Sequence, residues 1–354
     1  MDKKMMKIRN ILFLTFLAAM LMSCERFIEL SEEGPENLLA VNGELMAGDT
    51  LHTVYLGMSR FNSLKKVSTA HLDCYVNDEK VSSADNPVSW ERYPKSFVKC
   101  LKFKAKIKPG DNVRLEIEAD GEKVEVSCTA PQPASITSVD TATVMRASDD
   151  GDEMQKKTHY YVTVKDRPGE ADYYRITAAY EGTVFVGKTS EHYTEYRTGD
   201  KLFGDFRYIA LDNTSEPLLN KKIRLGMEDG DAGNNYYDNE YNIFTDNTFA
   251  DGKYTLSLYS SYIKYLRPLP SGSFGYSPQD YTPMKKGKVI IRLLSMDRDT
   301  YNYINDYEFD ASEQSGWMFF PEIPYPSNVS GGTGLVSVVT PYDYEIVLPE
   351  GEYY

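Results

Sequence analysis

Apolar residues recur at every second position through most of this chain, a period that suits a β-strand with one buried face and no helix. It is plainest between Phe103 and Val126. Phe103, Ala105 and Ile107 alternate with Lys104 and Lys106, a Lys108-Pro109-Gly110-Asp111 turn follows, and Val113, Leu115 and Ile117 alternate with Arg114, Glu116 and Glu118. The pattern predicts a hairpin with an apolar inner face. Its outer face would set Lys102, Lys104 and Lys106 opposite Glu116 and Glu118, each pair worth about 0.2–1 kcal/mol. Asp120-Gly121 then makes a two-residue turn into Val124-Glu125-Val126. With runs near 38–46, 50–58 and 70–77, the span 38–133 holds about six or seven short strands, the spacing of an immunoglobulin-like β-sandwich.

Ala130-Pro131-Gln132-Pro133 reads as a stiff connector, and composition changes after it. Of 28 tyrosines, 25 lie beyond, which places a domain boundary near residue 134. The span 134–354 alternates again at 158–164, 174–178 and 254–258, while Val289 to Leu294 is apolar on nearly both faces and reads as a central strand. One stretch departs from this period. Ser295 is placed to cap a short helix to about Phe309, in which Tyr301, Ile304 and Tyr307 recur at three-residue steps. Two closing strands are expected near 334–340 and 342–348. The fold class is therefore all-β, two β-sandwich-like domains with one short helix in the second.

The N-terminus carries a different signal. Lys3, Lys4, Lys7 and Arg9 precede an apolar run from Ile11 to Met22, about half the ~20 residues needed to span a bilayer. Leu21-Met22-Ser23-Cys24 then has the form of a lipoprotein processing site. Cleavage between Ser23 and Cys24 would remove residues 1–23 and leave Cys24 as the lipid-bearing N-terminus. Residues 24–37, with Glu25, Glu29, Glu32 and Glu33 beside Gly34 and Pro35, read as an acidic tether.

Of the 39 basic and 53 acidic residues, the leader takes four basic ones and Asp2, leaving 35 against 52, a net charge near −17. Such a surface disfavours nucleic acid, whose binding rests on phosphate neutralisation, and also anionic headgroups. The lipid is then the membrane attachment. Cys74, Cys100 and Cys128 are the remaining cysteines. By strand parity Cys74 and Cys128 point inward, either bridged across the sandwich or as two buried thiols, and Cys100 points outward with the lysines.

Chemistry finds little support. Gly182-Thr183-Val184-Phe185-Val186-Gly187-Lys188-Thr189 has the letters of a phosphate loop, but its β-branched and aromatic residues read as the strand itself and no helical period follows. His52, His71, His159 and His192 are scattered, without nucleophile-elbow, zinc-protease or Cys-x-x-Cys spacing. The loop 228–235 concentrates oxygen ligands, with Asp229 and Asp231 as weak calcium candidates, yet it lacks the ligand order of an EF-hand. No cofactor is expected. Tyr236, Tyr237 and Tyr241 in a polar loop, and Tyr276 and Tyr281 in a Pro/Gly-rich stretch, are the candidate ligand-binding residues, because loop tyrosines give stiff amphipathic contact area. Asp49-Thr50-Leu51 and Asp140-Thr141-Ala142 resemble a short bacterial O-glycosylation sequon.

Several segments together resemble one family. They are the lipidated Cys24 with its acidic tether, Leu39-Ala40-Val41-Asn42-Gly43-Glu44-Leu45, Tyr173-Tyr174-Arg175-Ile176, Phe244-Thr245-Asp246 to Asp251-Gly252-Lys253, the short helix, and Ser327-Asn328-Val329 leading to Gly332-Thr333-Gly334. This set is similar to the Bacteroidota outer-membrane lipoproteins of domain-of-unknown-function family 4249. Leu335-Val336-Ser337-Val338 stands where that family often has an aromatic. The resemblance implies an all-β outer-membrane lipoprotein, often encoded beside a TonB-dependent receptor, and supplies no catalytic residues. The expected role is non-enzymatic: a surface-exposed accessory or ligand-capture partner of such a receptor, with a glycan or peptide as ligand. The alternatives are a fimbrial or adhesive subunit and, last, a surface hydrolase.

Overall fold

The computed structural model describes residues 38–60, 63–93, 96–147, 153–167, 169, 171–185, 202–219, 239–261, 287–311 and 325–348. Strands β1 (Leu38–Met46), β2 (Leu51–Arg60), β3 (Ser63–Lys65), β4 (Ala70–Val76), β5 (Glu79–Asp85), β6 (Val88–Tyr93), β7 (Ser96–Lys104), β8 (Asn112–Ala119) and β9 (Glu122–Thr129) precede the proline connector. After it come β10 (Ser135–Ala147), β11 (Met154–Lys165), β12 (Tyr173–Phe185), β13 (Leu202–Ile209), β14 (Ile243–Thr245), β15 (Lys253–Ser261) and β16 (Gly287–Met296). Helix α1 (Arg298–Ala311) and strands β17 (Val329–Ser330) and β18 (Val336–Val347) complete the order.

One long sheet, ordered β13-β12-β16-β18-β1-β2-β7-β6, forms a continuous layer. A five-stranded sheet, β17-β9-β8-β4-β5, packs on one end of its inner face, and a three-stranded sheet, β10-β11-β15, packs on the other. The all-β, sandwich-like class expected from the alternation is the observed one. The first core joins Leu39, Val41, Val54 and Phe103 to Leu72, Leu115, Ile117 and Val126. The second joins Tyr160, Val162 and Leu258 to Tyr174, Ile176, Tyr180 and Ile291. Each buried aliphatic side chain contributes roughly 1.5–3 kcal/mol.

Strand β18 ties the halves together. Its first residues pair in parallel with β1, Gly43 opposite Val336 through Met46 opposite Val339, and the rest pair antiparallel with β16, from Thr340 opposite Ser295 to Val347 opposite Lys288. Period two keeps Val336 and Val338 in the first core and Tyr344 and Ile346 against the second. The chain beyond residue 134 therefore returns to the first core, where Val329 also packs.

Four expectations change. First, the alternating runs around Lys108–Asp111 do not form a hairpin. Strand β7 pairs with β2 and β6, whereas β8 pairs with β4 and β9, so the chain crosses from one sheet to the other. Face-to-face packing and edge pairing require the same alternation, and sequence does not separate them. Glu118 consequently meets Lys123, and Glu116 meets Arg114. The Asp120-Gly121 turn is as expected, with both residues at positive φ. Second, the two closing strands are the one strand β18. Third, the helix cap is Asp297, whose Oδ1 accepts the Thr300 N–H at 2.7 Å, while Ser295 lies within β16 and accepts the Ala134 N–H.

The fourth concerns the cysteines, where of the two readings for Cys74 and Cys128 the bridge falls and the free thiols stand, and where Cys100 is not exposed. Cys74 pairs with Leu115 and Cys128 with Val113, so β8 runs between them. Two strand spacings, roughly 9.5 Å, exceed the ~7 Å Cα limit of a disulfide. Both are free thiols. Burial pushes Cys74 up to about 11 and Cys128 up to about 12. Cys100 lies on the face opposite Leu101, as its parity requires, but that face is covered there and the thiol is buried.

Candidate functional site

Helix α1 sits on the outer face of the long sheet. Tyr301 and Ile304 pack with Met46, Tyr173, Leu294, Met296 and Val339, forming a third, small core. Arg298 Nε donates to the Tyr173 hydroxyl at 2.8 Å and fixes the first turn. With that face covered, Tyr303 and Tyr307, four residues apart, share another face of the helix.

Each of these two rings meets a tyrosine from a distant part of the chain. Tyr303 lies 5.3 Å from Tyr325, and Tyr307 lies 6.3 Å, edge to face, from Tyr241. The result is a stripe, Tyr325–Tyr303–Tyr307–Tyr241, in which Tyr325, Tyr307 and Tyr241 are 37%, 44% and 39% exposed. Large aromatic rings at that exposure, drawn from three segments, make a contact surface.

The supports of the stripe are polar and are buried or half-buried. Asn239 donates to the carbonyls of Leu219 at 3.0 Å and Ile243 at 2.8 Å, and its Oδ1 accepts the Ile243 N–H. Asn213 donates to the Asn239 carbonyl and to Asn242 Oδ1, with Asn242 at φ 54°. This turn fixes the backbone on both sides of Tyr241. Tyr325 leads into Asn328, whose amide donates to the Val336 carbonyl at 2.7 Å and whose Oδ1 accepts the Val336 N–H.

Of the candidate ligand-binding residues read from the sequence, Tyr241 is in the stripe. Tyr236, Tyr237, Tyr276 and Tyr281 lie outside the described residues, as do Ser23, Cys24 and the calcium candidates Asp229 and Asp231. Sequence reasoning missed Tyr303, Tyr307 and Tyr325. The i, i+4 spacing of the helical pair was the one available signal. Gly182 to Phe185 belong to β12 and pair with β13, Gly182 with β16 as well, so this part of the phosphate-loop lookalike is sheet.

Two further clusters lie near the second core. On the outer face of the three-stranded sheet, the Arg146 guanidinium lies 3.9 Å over Tyr259, Tyr259 stacks on His159 at 4.0 Å, and His159 contacts Tyr161 at 3.9 Å. His159 Nε2 hydrogen-bonds with Ser257, and burial, with Arg146 nearby, lowers its pKa. The second cluster gathers Asp166, Asp172 and Asp246 beside Tyr174, whose hydroxyl donates to Asp166. Burial, a hydrogen bond shared with Asp166 and like charge hold Asp172 up at about 6, despite Arg167 Nη2 at 2.5 Å. Asp246 is raised chiefly by burial. On the five-stranded sheet, His71 lies between Asp85 at 2.5 Å and Asp73 at 3.0 Å, and the bond to Asp85 is the largest cause raising its pKa. Among the described residues no group of three or more His, Cys, Asp or Glu is arranged to hold a metal ion, and no helix is long and apolar enough to cross a membrane.

Three of the segments that carried the family resemblance, those at 39–45, 173–176 and 327–334, meet at a seam. Thr333 N–H donates to the Leu39 carbonyl, Val41 N–H to Thr333, Gly43 N–H to Leu335, and Leu335 N–H to Asn42 Oδ1, all at 2.9–3.0 Å. A Cβ on Gly332 would collide with the Leu39 carbonyl oxygen, and one on Gly334, at φ 105°, with that of Val41. Only glycine lets these backbones approach so closely. Arg175 Nη2, from β12, reaches Glu44 on β1 at 2.6 Å across the same seam.

Fold and site define a class: an all-β protein of two sandwich cores on one shared sheet, carrying an aromatic stripe beside its single described helix. The chain belongs to the family described as Domain of unknown function (DUF4249), whose pattern it matches over residues 25–345. None of the curated proteins matches it.

Proposed function

We propose that this protein is a non-enzymatic lipoprotein, anchored through Cys24 to the outer membrane and exposed at the cell surface, that serves a TonB-dependent receptor as a docking or ligand-capture partner. The observation that carries the reading is the tyrosine stripe. Its rings come from three segments, two of which are held by asparagine side chains hydrogen-bonded to backbone, and they remain more than a third exposed at three of four positions. Rigid aromatic anchors on a preformed scaffold lose little entropy on binding, which is what a recognition surface requires.

Affinity purification of the tagged lipoprotein from detergent-solubilised outer membranes, followed by mass spectrometry, tests this. The wild type should bring a TonB-dependent receptor in near-equal amount, and the Tyr303→Ala/Tyr307→Ala variant should bring much less. Recovery of the protein alone, or of its own polymers, would contradict the proposal and favour the adhesive alternative.

A further inference from the structure

We infer that the tyrosine stripe docks a cationic polypeptide segment, one whose Lys or Arg side chains lie across the rings. The inference rests on the stripe being a partner-binding surface and adds the chemistry of what binds there.

Among the described residues, charge around the stripe has one prevailing sign. On the helix, Asp299 precedes Tyr303 by four residues and Asp306 follows it by three, so both carboxylates share the face of Tyr303 and Tyr307. Asp299 is exposed and Asp306 half-buried. Glu240, next to Tyr241, is exposed as well. Arg298, the cation at the start of the helix, is turned to the Tyr173 hydroxyl. The last turn of α1 carries no basic residue, so the negative end of the helix dipole adds to the field near Tyr307. The whole chain has a net charge of −14.

Tyrosine faces are themselves electronegative and attract guanidinium or ammonium groups over the ring, by about 0.5–2 kcal/mol each. Rings flanked by carboxylates thus offer a basic side chain both a stacking surface and a counter-ion. An anionic segment would be repelled by Asp299, Asp306 and Glu240 together. A neutral saccharide would stack on the rings without needing the carboxylates.

The probe is a decapeptide alternating Lys and Ser, with a Glu–Ser decapeptide and a neutral maltohexaose as comparisons, titrated calorimetrically into the purified protein at low and high salt. The wild type should bind the Lys–Ser peptide, more weakly at high salt, and neither comparison compound. Tyr303→Leu/Tyr307→Leu keeps the net charge, and Asp299→Asn/Asp306→Asn keeps the rings. Each should weaken the peptide by about tenfold or more. If a double variant lowers the melting temperature, Tyr307→Leu alone, at the most exposed ring, replaces it. Equal binding by the wild type and the tyrosine variant would mean that only the diffuse acidic field attracts the peptide, and would overturn the inference. So would absence of peptide binding, or binding of maltohexaose instead. The receptor purification stays separate: loss of receptor on stripe substitution without any peptide affinity refutes the cationic segment and leaves the partner reading standing.

Discussion

The two cores share one sheet and differ in what fills them. Leucine, valine and isoleucine dominate the first, and among the described residues Phe103 is the one aromatic hydrophobic side chain buried in it. The second buries Tyr160, Tyr174, Tyr180 and Phe244 at 2% exposure or less. An aliphatic core asks nothing of its surroundings beyond shape, whereas a buried tyrosine must find a partner for its hydroxyl. The second region answers with polar groups. Tyr174 donates to Asp166, Ser260 bonds to Tyr160, and Tyr254 donates to the buried Glu216, which also accepts the Ser257 and Leu218 N–H groups. Carboxylates therefore sit beside the tyrosines of the second half, and burial together with the neighbouring Asp166 raises Asp172 there.

The seam where the cores join gives the largest expected effect. Gly334→Ala forces a Cβ onto the Val41 carbonyl at a backbone angle that side chains avoid, so a loss of about 4 kcal/mol or more is expected, read as failure to fold or a large fall in melting temperature. An unchanged melting temperature would mean that the β1–β18 contact is not what holds the halves together. Next, Leu115→Ala in the first core should cost about 2–5 kcal/mol in denaturant unfolding. Tyr174→Phe in the second should cost about 1–3 kcal/mol by stranding Asp166. If the phenylalanine variant is neutral, the polar requirement of the second core has been overstated.

The contrast has a pH signature. Asp172 retains its proton up to about 6 in the folded protein, well above its ordinary value of 3.8. The native state therefore holds a proton that the unfolded chain releases earlier, and stability from this group is lost as pH rises from about 4 through 6. Asp172→Asn should flatten that slope by roughly 1–3 kcal/mol in urea midpoints measured across the range. A slope unchanged by the substitution would place the proton elsewhere. Smallest of all, Tyr307→Ala, at a ring 44% exposed, should shift stability by no more than about 0.5 kcal/mol while reducing partner recovery.

Much of the fold is legible because period two is a local signal. The alternation at 38–46, 70–77 and 158–164 appears as β1, β4 and β11, and the run at 289–294, apolar on nearly both faces, is the central strand β16. What alternation leaves open is which edge a strand pairs along. That is why Phe103–Ile107 and Val113–Glu118 read as a hairpin although they lie in opposite sheets, and why nothing at Leu335–Val338 announced a parallel partner in β1. The family motifs were visible but silent about their job. Asn42, Asn328, Gly332 and Gly334 serve the seam, a contact between segments about 290 residues apart. The stripe was legible only at Tyr241, because its other rings come from a segment with no period of its own and from a helix whose three-residue pattern grouped the exposed Tyr307 with Tyr301 and Ile304, the two that pack on the sheet.

Amide hydrogen exchange along β18 tests the shared sheet most directly. If one continuous strand fastens both cores, amides in 336–339, beside β1, and in 340–347, beside β16, should open together at one free energy close to that of global unfolding. Two well-separated opening energies, with one half exchanging while the other stays protected, would contradict a single sheet joining the cores.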